Sequence, residues 1–247
     1  MPRLLLALSL ILALIACDTG PTSKVELTGD HLAVMALTLA DFGPEYQAFR
    51  PDEDSGEKTR EEIVEGAADP ADEAADVARF GHLIRYVRSY TSNVSIIRGA
   101  GTPYLGNSVT LYADKKGAAG DLDDQLADLQ RNVSGTTGLG SLQSFQMFEA
   151  GMGEKSYGVT ARLLTPGNAF GLPGTVTLTI TAVAFQRDRL VAEVMFMRFD
   201  ANDVQAESVE LARMLDRRMK TVLSGGLPDT GGASDAVGSD PAPPQSP

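Results

Sequence analysis

The chain has 247 residues, with 33 acidic against 21 basic side chains, a formal charge of −12, one cysteine and no tryptophan. That surplus of negative charge repels phosphate and argues against nucleic-acid binding, and it equally disfavours flat adsorption on anionic lipid. A lone cysteine forbids any disulfide within the chain.

The opening segment, "LLLALSLILALIACDTG" at residues 4–20, is an apolar run that ends on that cysteine. As a helix, Leu4 to Ala16 would rise about 1.5 Å per residue and reach roughly 20 Å, short of the roughly 30 Å of a bilayer core. A brief basic start at Arg3, an apolar stretch and a small residue before a cut describe a secretory signal. A buried core helix is the poorer reading, because the run has no polar face.

Leu14-Ile15-Ala16-Cys17 resembles the bacterial lipoprotein box: an aliphatic residue, a tolerant position, a small residue, then cysteine. The resemblance covers the first twenty residues. It implies cleavage between Ala16 and Cys17, a diacylglyceryl group on the Cys17 sulfur and an acylated new amino terminus. Each buried methylene of such chains contributes about 0.8 kcal/mol, and two or three chains make a durable anchor where one does not. The alternative is an unmodified thiol left by ordinary signal removal. Asp18 resembles an inner-membrane retention signal of enterobacterial lipoproteins, a rule that does not travel to all bacteria, so the membrane stays undetermined. Cleavage removes Arg3 and no acid, which leaves the mature chain at about −13.

Residues 17–30 read as a lipidated flexible tether, because "DTGPTSKVELTGD" is small, polar and turn-rich. Residues 224–247 are Gly, Pro, Ser, Asp and Ala with hardly an apolar anchor, a composition that cannot offset chain entropy and predicts disorder. A third polar stretch, "RPDEDSGEKTREEIVEG" at 50–66, reads as a mobile acidic loop. The single folded domain is then expected over residues 31–223.

Within it, Asp69-Pro70 predicts a helix start, with Asp as N-cap, Pro at the first helical position and Asp72 and Glu73 in the first turn. Val77, Phe80, Ile84 and Val87 continue at helical spacing. "YVRSYTSNVSIIR" at 86–98 is β-branched and aromatic and predicts a strand, with the change from helix to strand lying between about 82 and 90. A second strand follows at 105–113. Asp121 onward predicts an amphipathic helix with Leu122, Leu126, Leu129 and Val133 on one face, its "DLDD" acids set against the dipole. Another strand is expected at 156–164. Two long strands, "GTVTLTITAVAFQ" and "RLVAEVMFMRF", flank a tight turn at 187–188. A last helix over 203–225 buries Val209, Ala212, Leu215, Met219 and Val222, and Gly225 closes it. Such an order makes an α+β fold, an antiparallel sheet covered by helices on at least one face.

"ALTLADFGPEYQAF" (36–49), "VTLYADKKGAA" (109–119), "MGEKSYGVTARL" (152–163), "VAFQRDRLVAEVMF" (183–196) and "ELARMLDRRMKTVLSG" (210–225) are similar in layout to photosystem P-protein-like (PsbP-like) sandwiches of secreted lipoproteins. That resemblance implies an α+β sandwich in a functionally heterogeneous, largely non-enzymatic group, and names no activity.

The chemistry-bearing residues are sparse. The only thiol is assigned to lipid, and the two histidines are His31 at the tether's edge and His82 near a helix end. No nucleophile elbow accompanies His82, which reads as a packed or solvent-facing helix residue. Two histidines without a free cysteine disfavour a transition-metal site. For calcium, "DEDSGE" (52–57) misplaces the glycine of an EF-hand loop, and "DANDVQAE" (200–207) offers Asp200, Asn202 and Asp203, of which Asp203 reads equally well as a helix cap. "NVS" at 93–95 and 132–134 are chance matches, and "GTTGLGS" (135–141) lacks the lysine of a phosphate loop. No cofactor, metal ligand or catalytic residue is assigned. The expectation is an extracytoplasmic lipoprotein that holds the membrane through acyl chains on Cys17 and binds an unknown protein or small molecule. An accessory envelope protein acting through surface contacts is the alternative. An enzyme would need His82 in a cleft beside a carboxylate and a hydroxyl.

Overall fold

The computed structural model describes residues 25–92, 102–132, 136–137, 140–170, 172–199 and 204–229. Among them the strands are β1 (Arg50–Pro51), β2 (Gly56–Thr59), β3 (His82–Thr91), β4 (Tyr104–Tyr112), β5 (Thr136–Thr137), β6 (Gly140–Phe148), β7 (Lys155–Pro166), β8 (Thr175–Arg187) and β9 (Leu190–Arg198). They form one antiparallel sheet in the order β1-β3-β4-β9-β8-β7-β6-β5, with β2 also pairing with β3. The helices are α1 (Gly29–Met35), α2 (Arg60–Glu65), α3 (Pro70–Phe80), α4 (Lys115–Asn132) and α5 (Gln205–Leu223). The expected α+β architecture holds, with helices on both faces of the sheet.

Alternation along each strand sorts side chains between those faces. On one face, Leu105 and Val109 of β4, Val183 and Phe185 of β8 and Leu190, Val194 and Phe196 of β9 pack with α1 and α5 through Leu32, Met35, Leu215 and Met219. Full burial of each such side chain contributes about 1.5–3 kcal/mol. Phe196 is met by Phe42 and Tyr46, each at 6.0 Å between ring centroids, so the segment after α1 is pinned by aromatic contacts of about 0.5–1.5 kcal/mol each. On the opposite face, α3 and α4 cover one end of the sheet, where Phe80, Ala118 and Leu122 pack on Tyr112, Tyr157, Ala184 and Val191. A smaller cluster of Leu163, Leu172, Leu178 and Phe199 lies apart from it.

Several expected boundaries move, each for a local reason. Val25 packs on the core and Leu27 is buried, so ordered packing reaches into the expected tether. His31 is part of a helix cap there: its Nδ1 lies 2.9 Å from the Thr28 hydroxyl and accepts from the Thr28 N–H at 3.3 Å. The acidic stretch at 50–66 is not a loop. It contains β1, β2 and α2, and Thr59 and Glu62 cap α2 reciprocally at 2.8 and 3.3 Å.

Asp69 caps α3 as expected, its carboxylate accepting from the N–H groups of Ala71 and Asp72. The helix ends four residues before Ile84, because Gly81 takes the left-handed conformation at φ 71°. Ile84 and Val87 therefore belong to β3. Asp121 to Asp124 do not start α4 but lie beyond its first turn; Asp114 caps it, accepting from the Gly117 N–H at 2.7 Å. Strand β6 was not expected. The β8–β9 turn falls on Asp188 and Arg189, one residue later than expected, with Asp188 at φ 52°. Helix α5 ends near Gly225, at φ 82°, but Val209 is only partly buried while Leu211 is buried.

Candidate functional site

On the α4 side, β4 presents Tyr104, Gly106, Ser108, Thr110 and Tyr112, and β9 presents Val191, Glu193 and Met195, since i and i+2 share a face. Register places Arg85 opposite Thr110, Val87 opposite Ser108 and Ser108 opposite Glu193. Helices α3 and α4 cover the Tyr112 and Val191 end of these rows. Beyond their reach lies a cleft of about 180 Å³, lined by Arg85, Val87, Tyr104, Gly106, Ser108, Glu193 and Met195. Ordinary ligand pockets measure about 300–1,000 Å³, so this one suits a group of few atoms.

Three polar side chains define its chemistry. Arg85 donates through Nε to the Thr110 hydroxyl at 3.1 Å, which orients the guanidinium along the sheet. Burial pushes the Glu193 carboxyl above the usual range, and the charge of Arg85 only partly opposes this. Burial also raises the Tyr104 hydroxyl, as does the charge of Glu193, so it remains a neutral phenol. Gly106 lets the Tyr104 ring fold across the strand: a Cβ on Gly106 would lie 2.7 Å from that hydroxyl oxygen. Val87 and Met195 supply the apolar floor.

Under α4, next to the cleft, lies a second polar group. Tyr112 donates a short hydrogen bond to Asp121 Oδ2, which also accepts from Gln125 Nε2 at 2.8 Å. His82 Nε2 stands 3.6 Å from the same oxygen, beyond hydrogen-bond length. Its ring crosses Tyr112 edge-on at 4.6 Å, and neither ring nitrogen has a hydrogen-bond partner among the described residues. Burial acts to raise the Asp121 carboxyl, but His82 and Tyr112, with the charge of Arg85, outweigh it and hold the group below the usual aspartate range.

His82 thus has the carboxylate and the hydroxyl that acid–base chemistry would use. It lacks access: His82, Tyr112 and Asp121 are 2 %, 0 % and 6 % exposed. A substrate atom must come within about 2.6–3.2 Å of a general base, and this one is sealed in the core. Its reading as a helix residue is corrected as well, since His82 opens β3.

The lipid-attachment and cleavage residues Leu14, Ile15, Ala16 and Cys17 lie outside the described residues, as do Asp200, Asn202 and Asp203. Asp52 spends its carboxylate on a turn, accepting from the Asp54 N–H at 3.1 Å. Among the described residues no cluster of three metal-ligating side chains occurs, and no helix is long and apolar enough to cross a membrane. Arg85, Tyr104 and Glu193 were not singled out from sequence, although a signal exists: Arg85 and Glu193 are charged residues at positions where the alternation of β3 and β9 asks for an apolar one.

No protein-family model matches the chain, and no curated protein matches it in sequence. Among solved structures, the extracellular domain of PknH from Mycobacterium tuberculosis is similar at a TM-score of 0.48 and 11 % identity, over 78 % of this chain and 97 % of that one. A likeness this slight carries no conclusion about the role of the chain.

Proposed function

We propose that the chain is a lipid-tethered, non-catalytic binding module. Acyl chains on Cys17 hold it on the extracytoplasmic side of a bacterial membrane, and the cleft takes a small polar group, either a free molecule or a protruding side chain of a partner. The observation that carries this reading is the end of the sheet that no described helix covers, where Arg85, Glu193 and Tyr104 line a cleft together with Val87 and Met195. Paired donor and acceptor groups on an apolar floor select a ligand by hydrogen bonding rather than by bulk. The sealed position of His82 supports binding over catalysis.

Two measurements test it. Protein purified from membranes with Arg85→Ala and Glu193→Ala together should lose a small molecule or protein that mass spectrometry finds retained by the wild type; identical retained sets would overturn the assignment to this cleft. Cys17→Ser should leave the membrane fraction and escape processing. If that variant still fractionates with membranes, the tether is something else. One observation favours the accessory reading, in which surface contacts are the function: the outer edge of β6.

A further inference from the structure

The two edges of the sheet are built differently. At one edge, β1 is two residues long and contains Pro51, and β2 is four residues carrying Glu57 and Lys58. Asp52, Glu53 and Asp54 lie between them. Short length, proline and charge are the devices that keep an edge from adding another strand. At the other edge, β6 is nine residues, "GSLQSFQMF", with no charge and no proline.

Among the described residues, β6 is paired outward only by β5, at Thr136 with Ser141 and Thr137 with Gly140. A bulge lies between Leu142 and Ser144, and from Ser144 to Phe148 the strand is regular against β7. Its outer backbone groups from 144 to 148 meet no strand of the described residues. Ser144 and Gln146 are exposed and Met147 is 37 % exposed, while Phe145 is half-buried against the α4-side core.

We infer that this edge pairs with the same edge of a second copy, β6 against β6, antiparallel and centred on Phe145. Charge selects the partner. A chain of −12 repels its own copies, and this strand is a place where two of them meet without opposing like charges. A basic partner would instead be served by acids along the edge, and β6 itself carries none. Side-chain character selects the register. Centring on Phe145 sets the two phenylalanines against each other on the α4 side, sets Ser144 against Gln146 twice on the other side, and leaves only Gln143, the residue at the bulge, to meet Met147. Centring on Ser144 would oppose Phe145 to Gln143, and centring on Gln146 would oppose Ser144 to Phe148. Main-chain hydrogen bonds supply the attraction and the cross-strand pairs the specificity. This pairing requires neither the cleft nor the lipid.

A single added strand pair buries less than the about 1,200 Å² of stable complexes, so association is weak and is measured at high concentration. The test is sedimentation equilibrium of the full chain in density-matched detergent, at concentrations on the order of 100 μM. Wild type should show a reversible monomer–dimer equilibrium. Ser144→Lys with Gln146→Lys opposes lysines twice and should weaken association about tenfold, whereas Ser144→Lys with Gln146→Glu opposes unlike charges twice and should stay within about threefold of wild type. Both positions are exposed, and both variants carry Ser144→Lys opposite Arg162 of β7, so any effect of that pair on folding is common to the two. A wild type that stays monomeric overturns the inference, as does equal association of the two variants.

Discussion

Asn107 and Leu37 exchange two hydrogen bonds across the core: the Leu37 N–H donates to Asn107 Oδ1 at 2.9 Å, and Asn107 Nδ2 donates to the Leu37 carbonyl at 3.0 Å. The amide side chain of β4 thus acts as a strand partner for the segment that leaves α1. Leu37 is fully buried and Asn107 is 4 % exposed, so water cannot replace either bond. Asn107→Ala should cost about 2–6 kcal/mol, because two buried backbone groups lose their partners at about 1–3 kcal/mol each. Urea denaturation measures this; a loss below about 1 kcal/mol would mean the segment re-pairs elsewhere.

The same segment is held from the other side by Arg218 of α5. Its guanidinium donates to Asp41 Oδ1 at 2.6 Å and to the Ala36 carbonyl at 3.1 Å, with 6 % and 11 % of the two side chains exposed. Asp41 also accepts from the N–H and the hydroxyl of Thr38. Asp41→Ala strands a buried cation and should destabilise by about 3–5 kcal/mol. Adding Arg218→Met removes the unpaired cation and should recover part of that loss, leaving about 2 kcal/mol for the lost cap at Thr38 and for the buried Ala36 carbonyl without its donor. A double variant no better than the single one would show that the pair is not what fixes α5.

Helix α4 lies close enough to α3 that glycine is required at the crossing. A Cβ at Gly117 would sit 2.0 Å from the Phe80 carbonyl oxygen, and one at Gly120 would sit 3.2 Å from the Phe80 ring. Ala is the better helix former in solution, yet Gly117→Ala should destabilise by about 1–3 kcal/mol through overpacking. Gly120→Ala, where only a ring edge must give, should cost less. Equal effects at the two positions would contradict the crossing geometry.

The sequence pattern resolves what depends on short-range physics. Asp69-Pro70 marks the start of α3, and the alternation of Val176, Leu178, Ile180 and Ala182 marks β8, because caps and strand faces are local. Three features stayed hidden for a common reason: their causes lie in another element of the fold. Glu57 and Lys58 are as polar as a loop, and only pairing with Tyr86 and Arg85 makes them a strand. Strand β6 mixes Ser and Gln with Leu and Phe, so its order comes from twelve-residue β7 beside it. Asp121 falls in an acidic run that suits a helix start, but Tyr112, nine residues earlier, draws it into the core. The cleft depends likewise on β3, β4 and β9 being neighbours, which no single strand encodes.

Asp121 makes the acid limb of stability readable at one residue. Its carboxyl is held below the ordinary aspartate value despite burial, through His82, Tyr112 and Arg85. A group with a depressed folded value binds its proton more readily in the unfolded chain. It therefore stabilises the fold above about pH 4, the ordinary aspartate range, and loses that contribution as pH falls through the lower folded value. Asp216, lowered by Arg187 and Lys220, adds in the same direction. Glu193 and Glu207, both raised by burial, act in the opposite one. Only a difference between variants isolates Asp121 from these. Asp121→Asn keeps an oxygen for the Tyr112 hydroxyl but carries no charge. The gap in urea midpoint between wild type and this variant should be widest near neutral pH and should close as pH falls below about 4. A gap that stays constant from neutral pH to about pH 2.5 would mean that Asp121 contributes by shape and hydrogen bonding alone.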